Sequence, residues 1–141
     1  VVVKRVGGLM VAGVVVLAPA LALAEGCALD GGTVIGRVEA MNQMVLDLDI
    51  PGLVAAIKQQ VGIDVAADMG KVAEIFADGF NGCTTIGERV DQGGMVQNVV
   101  MFDGKVGPLF GYWLAVPQGN EHRIISFTFH TDLDQVMAHL R

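Results

Sequence analysis

Chemistry in a short chain needs side chains that titrate, attack or ligate, held where they can meet. Four stand out here: His130 and Asp132 in "RIISFTFHTDLDQVM", Tyr112 in "GPLFGYWLAV" and Glu88 in "TTIGERV". An imidazole or carboxylate aimed into an apolar cavity has a tuned pKa and can move protons, the work of an isomerase or cyclase. The same residues have plainer uses. Thr131 can accept from the amide near Asp134, whose carboxylate can reach back, so the His130-Thr131-Asp132 corner reads as a capped helix start. His130 falls on the polar side of its strand. The corner is therefore read as architecture, no residue is assigned as catalytic, and the four remain acid–base candidates.

Other chemistries find less support. His122, His130 and His139 show no spacing that converges on a metal, and no Cys-x-x-Cys occurs, so no metal is assigned. Met41 and Met44 lie near a helix's core stripe, where methionine fills gaps. Ser126 is the only serine and lacks an elbow motif, which argues against a serine-centred hydrolase. The glycines of "DGKVGPLFGYW" do not lead from a strand into a helix, so they suggest no phosphate loop and no cofactor. Aromatic residues offer the better ligand clue. Tyr112 and Trp113 point to opposite faces of one strand, and with Phe127 they are the ligand-binding candidates.

The N-terminus speaks to location. Lys4 and Arg5 precede the apolar run "VGGLMVAGVVVL", and Ala22-Leu23-Ala24 before Glu25 is a small-x-small cleavage pattern. This reads as a signal peptide over 1–24, with 25–141 as a single exported domain. A retained membrane anchor is the rival, weakened by Pro19 and the missing basic flank beyond. The first residue is Val, as a GTG start codon read literally would give, which points to a bacterial gene. Cys27 and Cys83 are the only cysteines, and in a periplasmic or secreted protein they pair most simply as a disulfide. With a formal charge of −6 the chain makes no electrostatic case for nucleic acid or anionic lipid.

The elements that position these residues follow from periodicity. Val34, Val38, Met41, Val45 and Leu48 form one helical stripe, with Asp30 or Thr33 to cap it. Pro51 opens a second helix that buries Leu53, Val54, Ile57 and Val61 and stops at Gly62. Met69, Val72, Ile75 and Phe76 define a third, ended by Gly79. From Gly82 the period becomes two. Strands are expected at about Cys83–Val90, Met95–Phe102, Leu109–Val116 and Arg123–His130, joined by turn-rich links and followed by a helix over Asp132–Leu140. On the last strand Ile125, Phe127 and Phe129 should share the core face. The other sheet face is too apolar to be simply wet, so a second subunit, a ligand or the terminal helix must cover it.

Three helices, an antiparallel meander and a closing pattern built from Arg123, Ile124, Phe127, Phe129, Asp132 and Leu133 resemble the nuclear transport factor 2-like group, in its polyketide-cyclase-like branch. The resemblance is architectural across 31–141 and sequence-like over about the last twenty residues. It departs from the group in lacking a recognisable strand between the early helices. It implies a curved sheet folded over helices around a conical pocket, often dimeric through the outer sheet face, and no particular activity.

Together these readings describe an exported α+β domain: N-terminal helices packed on a four-stranded antiparallel meander sheet, with a short C-terminal helix. The expected function is non-catalytic binding or interaction, with a small apolar ligand or a protein as partner and pairing through the second sheet face as one arrangement. The alternative is an isomerase- or cyclase-type enzyme with acid–base residues in a sheet-lined pocket.

Overall fold

A computed structural model of the chain describes residues 26–140; the signal-peptide reading falls outside them. The described chain is α+β. Helices α1 (Gly36–Leu46), α2 (Ile50–Val61) and α3 (Ala66–Ile75) precede strands β1 (Phe80–Val90), β2 (Val96–Gly104), β3 (Gly107–Gln118) and β4 (Glu121–His130), and α4 (Leu133–Met137) closes the fold. The strands form one antiparallel sheet in the order β1-β2-β3-β4. Among the described residues no strand lies between the early helices, and no helix is long and apolar enough to cross a membrane.

Helix α1 starts without the expected side-chain cap: neither Asp30 nor Thr33 serves, and Ile35 occupies the cap position. Val38, Met41 and Val45 bury the anticipated stripe, but Val34 precedes the helix and is 55% exposed. The stripe also stops early, because Leu48 turns into the left-handed region at φ 52 to lead the chain into α2. Asp49 then accepts from the Gly52 amide at 3.1 Å, Pro51 sits in the first turn, and Gly62 at φ 86 ends the helix. Helix α3 buries Met69 and Phe76 follows it into the core, whereas Ile75 faces outward at 56% exposure.

The strands run further than alternation alone suggested, because the hairpin arms stay paired nearly to their turns; β3 and β4, for instance, pair from Phe110 opposite His130 out to Gln118 opposite Glu121, with one register shift between. Their inner face carries Val96, Val100, Phe102, Leu109, Trp113, Ala115 and Ile124 against the helices. Leu53, Ile57 and Phe76 pack against these side chains, and a hollow of about 380 Å³ lies beside Val65, Met69, Phe127 and Phe129. Gly111 belongs to this packing: a Cβ there would lie 3.0 Å from Phe129 and 3.2 Å from Phe102, so its absence lets two rings approach the strand.

Two sequence-based expectations change at β4. Ile125 is skipped in the pairing, Leu114 facing Ser126 and Ala115 facing Ile124. The extra residue turns Ile124 inward to full burial and leaves Ile125 43% exposed, the reverse of strict alternation. The helix after β4 is also shorter than expected, and its cap is Asp132, whose carboxylate accepts from the Asp134 amide at 2.9 Å. Thr131 makes no such bond. Asp132→Ala is accordingly expected to cost about 1 kcal/mol, and Thr131→Ala under about 0.5 kcal/mol. Parallel urea melts of the two variants check this; equal losses would contradict the assignment.

A disulfide joins Cys27 and Cys83 across 56 positions, with Cα atoms 5.1 Å apart. It anchors a strap, residues 26–33, against β1 and α1. The Cys27 amide donates to Glu39 at 2.8 Å, and its carbonyl accepts from both the amide and the hydroxyl of Thr85 at 2.7 Å. Burial pushes the Glu39 carboxyl above its ordinary range, opposed by the hydrogen bonds from Cys27 and Asn42.

Candidate functional site

The outer sheet face is organised in rows that cross the strands. Met101 and Phe110 pair in one row, Val99 and Tyr112 in the next. Helix α4 covers these two: Val136 is fully buried against Val99, Phe110 and Tyr112, and Leu133 and Leu140 pack beside it. Leu140 reaches over Gly87 of β1, 3.6 Å from where a Cβ would stand. The terminal helix is thus the cover for much of the second apolar face. It stops short of the third row, in which Arg89, Gln97, Leu114 and Ser126 lie side by side on four successive strands.

Over that row lies a hollow of about 510 Å³. Its wall toward α4 is Tyr112 and His139, whose rings stand 5.5 Å apart. Its rim at the β1–β2 turn is Asp91 and Met95. The turn is held by mutual backbone bonds, the Gly94 amide to the Asp91 carbonyl and the Asp91 amide to the Met95 carbonyl, each 2.9 Å.

The polar groups beneath are tied in sequence. Arg89 Nε donates to Asp91 Oδ1 at 2.9 Å, Gln97 Nε2 donates to Asp91 Oδ2 at 3.3 Å, and the Tyr112 hydroxyl donates to Gln97 Oε1 at 3.0 Å. Gln97 and Tyr112 are buried, which makes satisfied bonding necessary and fixes their orientation. Both carboxylate oxygens of Asp91 are engaged, while Arg89 uses only Nε in its ion pair and keeps 53% side-chain exposure. The arrangement is a shallow, preorganised recess with donors at its mouth. That suits recognition of a small molecule.

The four acid–base candidates are not brought together. Tyr112 alone lines the hollow. His130 is exposed at the end of β4, and its Nδ1 accepts from the Asp132 amide at 2.8 Å. Asp132 caps α4. Glu88 lies on the inner face, where both carboxylate oxygens accept from the Thr33 amide at 3.1 and 3.2 Å and hold the strap. Of the ligand-binding candidates, Trp113 is fully buried with its indole N–H donating to Asn42 Oδ1 at 2.8 Å, so no surface of it faces a ligand. Phe127 packs on the same inner side, half-buried, 6.0 Å from Trp113.

Arg89, Asp91, Gln97 and His139 were not among the sequence candidates. Alternation places Gln97 on the face of Val99 and Met101, but only strand register sets it beside Arg89. A buried polar layer also escaped the sequence reading: Asn42 links Trp113 to Glu39 Oε1 at 3.4 Å, and the buried Asn98 Oδ1 has no partner among the described residues. Among the described residues no group of His, Cys, Asp and Glu could hold a metal ion. No protein-family model, curated protein or solved structure matches the chain.

Proposed function

We propose that the chain is an exported, non-catalytic binding domain whose ligand lies in the outer-face hollow. The observation that carries this reading is the hollow over the row Arg89–Gln97–Leu114–Ser126, set beside a hydrogen-bonded chain that holds its polar groups in place. Export, to the periplasm or beyond the cell, is supported by the leader-like N-terminus and by a disulfide that an oxidising compartment preserves. Binding is favoured over acid–base catalysis by the four sequence candidates because Glu88, His130 and Asp132 each bond a backbone amide away from the hollow and only Tyr112 lines it. General acid–base chemistry needs such groups within reach of one substrate.

The full chain, produced with export and purified without denaturation, is expected to carry a small molecule in its native mass spectrum. Leu114→Trp, which puts an indole into the middle of the floor, should remove that mass while leaving the thermal midpoint within a few degrees. A wild-type spectrum of bare protein, or a bound mass indifferent to Leu114→Trp, would overturn the reading.

A further inference from the structure

We propose that the hollow takes an elongated organic carboxylate, its anionic end on Arg89 and a hydrogen-bonding group at its far end near Ser126. This rests on the reading of the hollow as a binding site and adds the chemical class of the occupant. The polar groups of the recess sort into committed and uncommitted. Asp91 accepts from Arg89 Nε and Gln97 Nε2, and Gln97 Oε1 accepts from Tyr112, so the acidic side chain of the rim has both oxygens spent within the protein. The terminal amino groups of Arg89 make no bond within the described residues, although the pair with Asp91 fixes the guanidinium at the rim. A planar fork so presented matches a carboxylate, which it can hold by two parallel charge-assisted bonds.

The shape supplies the rest. Arg89 and Ser126 occupy the first and fourth strands of one row, three inter-strand spacings or about 14 Å apart. Between them the floor is Leu114 and the buried amide of Gln97, with Met95 on the rim, so the middle of the ligand meets the apolar surface of Leu114 and Met95 beside one amide. At the far end the Ser126 hydroxyl is exposed and makes no bond within the described residues. A ligand with an acid at one end, an apolar skeleton and a hydroxyl at the other would satisfy each part.

The test uses 10-hydroxydecanoate and its neutral counterpart 1,10-decanediol, titrated into the full chain and followed by amide chemical shifts. The acid should perturb Gln97, Leu114 and Ser126 saturably. The diol should bind at least about tenfold more weakly, and Arg89→Gln should weaken the acid by a similar factor without changing the diol. Equal binding of acid and diol at the hollow, or full affinity in Arg89→Gln, would overturn the carboxylate assignment and leave the hollow standing as a binding site. Perturbation only elsewhere, or none with either probe, would also overturn it; whether the hollow binds anything is then decided separately by the mass retained on export.

Discussion

Removing the disulfide with Cys27→Ala and Cys83→Ala together is expected to lower the unfolding free energy by about 4 kcal/mol. The cross-link spans 56 positions, and closing a loop of that length withdraws this much chain entropy from the unfolded state. Small domains hold only about 5–15 kcal/mol in total, so the loss would bring the protein close to its folding threshold. The bonds around Cys27 shape the result. Its amide and carbonyl are both occupied, by Glu39 and Thr85, and Glu88 holds Thr33 further along the strap. These contacts keep the native geometry defined without the sulfur bridge, so the double variant should still fold cooperatively in dilute buffer. Urea unfolding followed by Trp113 fluorescence measures the difference, and a reductant should act on the wild type alone. A loss below about 1 kcal/mol would mean that the strap's hydrogen bonds, rather than the cross-link, fasten the start of the domain.

Trp113→Ala should cost a similar amount, about 4 kcal/mol, through a different mechanism. The indole is fully buried at the centre of the inner sheet face, 5.3 Å from Phe129 in an edge-on arrangement and 6.0 Å from Phe127. Truncating it leaves a cavity between sheet and helices that the rings around it can only partly fill. Its N–H also satisfies Asn42, which is fully buried on α1. Trp113→Phe therefore separates the two contributions: most of the volume remains, but Asn42 Oδ1 loses its donor, and about 2 kcal/mol should be lost. Adding Asn42→Leu to Trp113→Phe should return part of that loss, because the orphaned Oδ1 is removed, and only part because Glu39 Oε1 loses the long bond from Asn42. Circular dichroism in urea reads all three variants. If Trp113→Phe were neutral, the contact with Asn42 would carry no stability and the buried polar layer would need another account.

The split between the two sheet faces assigns stability and the proposed binding to separate residues. The inner face is packed and hydrogen-bonded to α1 through Asn42 and Glu39, so substitutions there should act on folding. In the outer row Arg89 and Ser126 are exposed, so substitutions of these two should act on the proposed binding. Leu133, Val136 and Leu140 pack over the rows of Met101–Phe110 and Val99–Tyr112, and α4 ends before the row of Arg89.

Sequence alone determined the class of this fold, because its signals are local. Apolar residues three and four apart up to Phe76, alternation beyond Gly82, and stops such as Gly62 and Gly79 are each written within a dozen positions. Two cysteines, Cys27 and Cys83, leave one pairing within the chain. Tertiary structure decided everything that depends on register. One skipped residue at Ile125 exchanged the faces of Ile124 and Ile125, and pairing between distant strands set Arg89, Gln97, Leu114 and Ser126 in one row. Glu88 resembled an acid–base candidate until Thr33, 55 positions away, was found donating to it. A side chain's neighbours along the chain follow from its period, but its neighbours across a sheet follow from how strands slide against one another. That sliding is set by the packing of the whole domain.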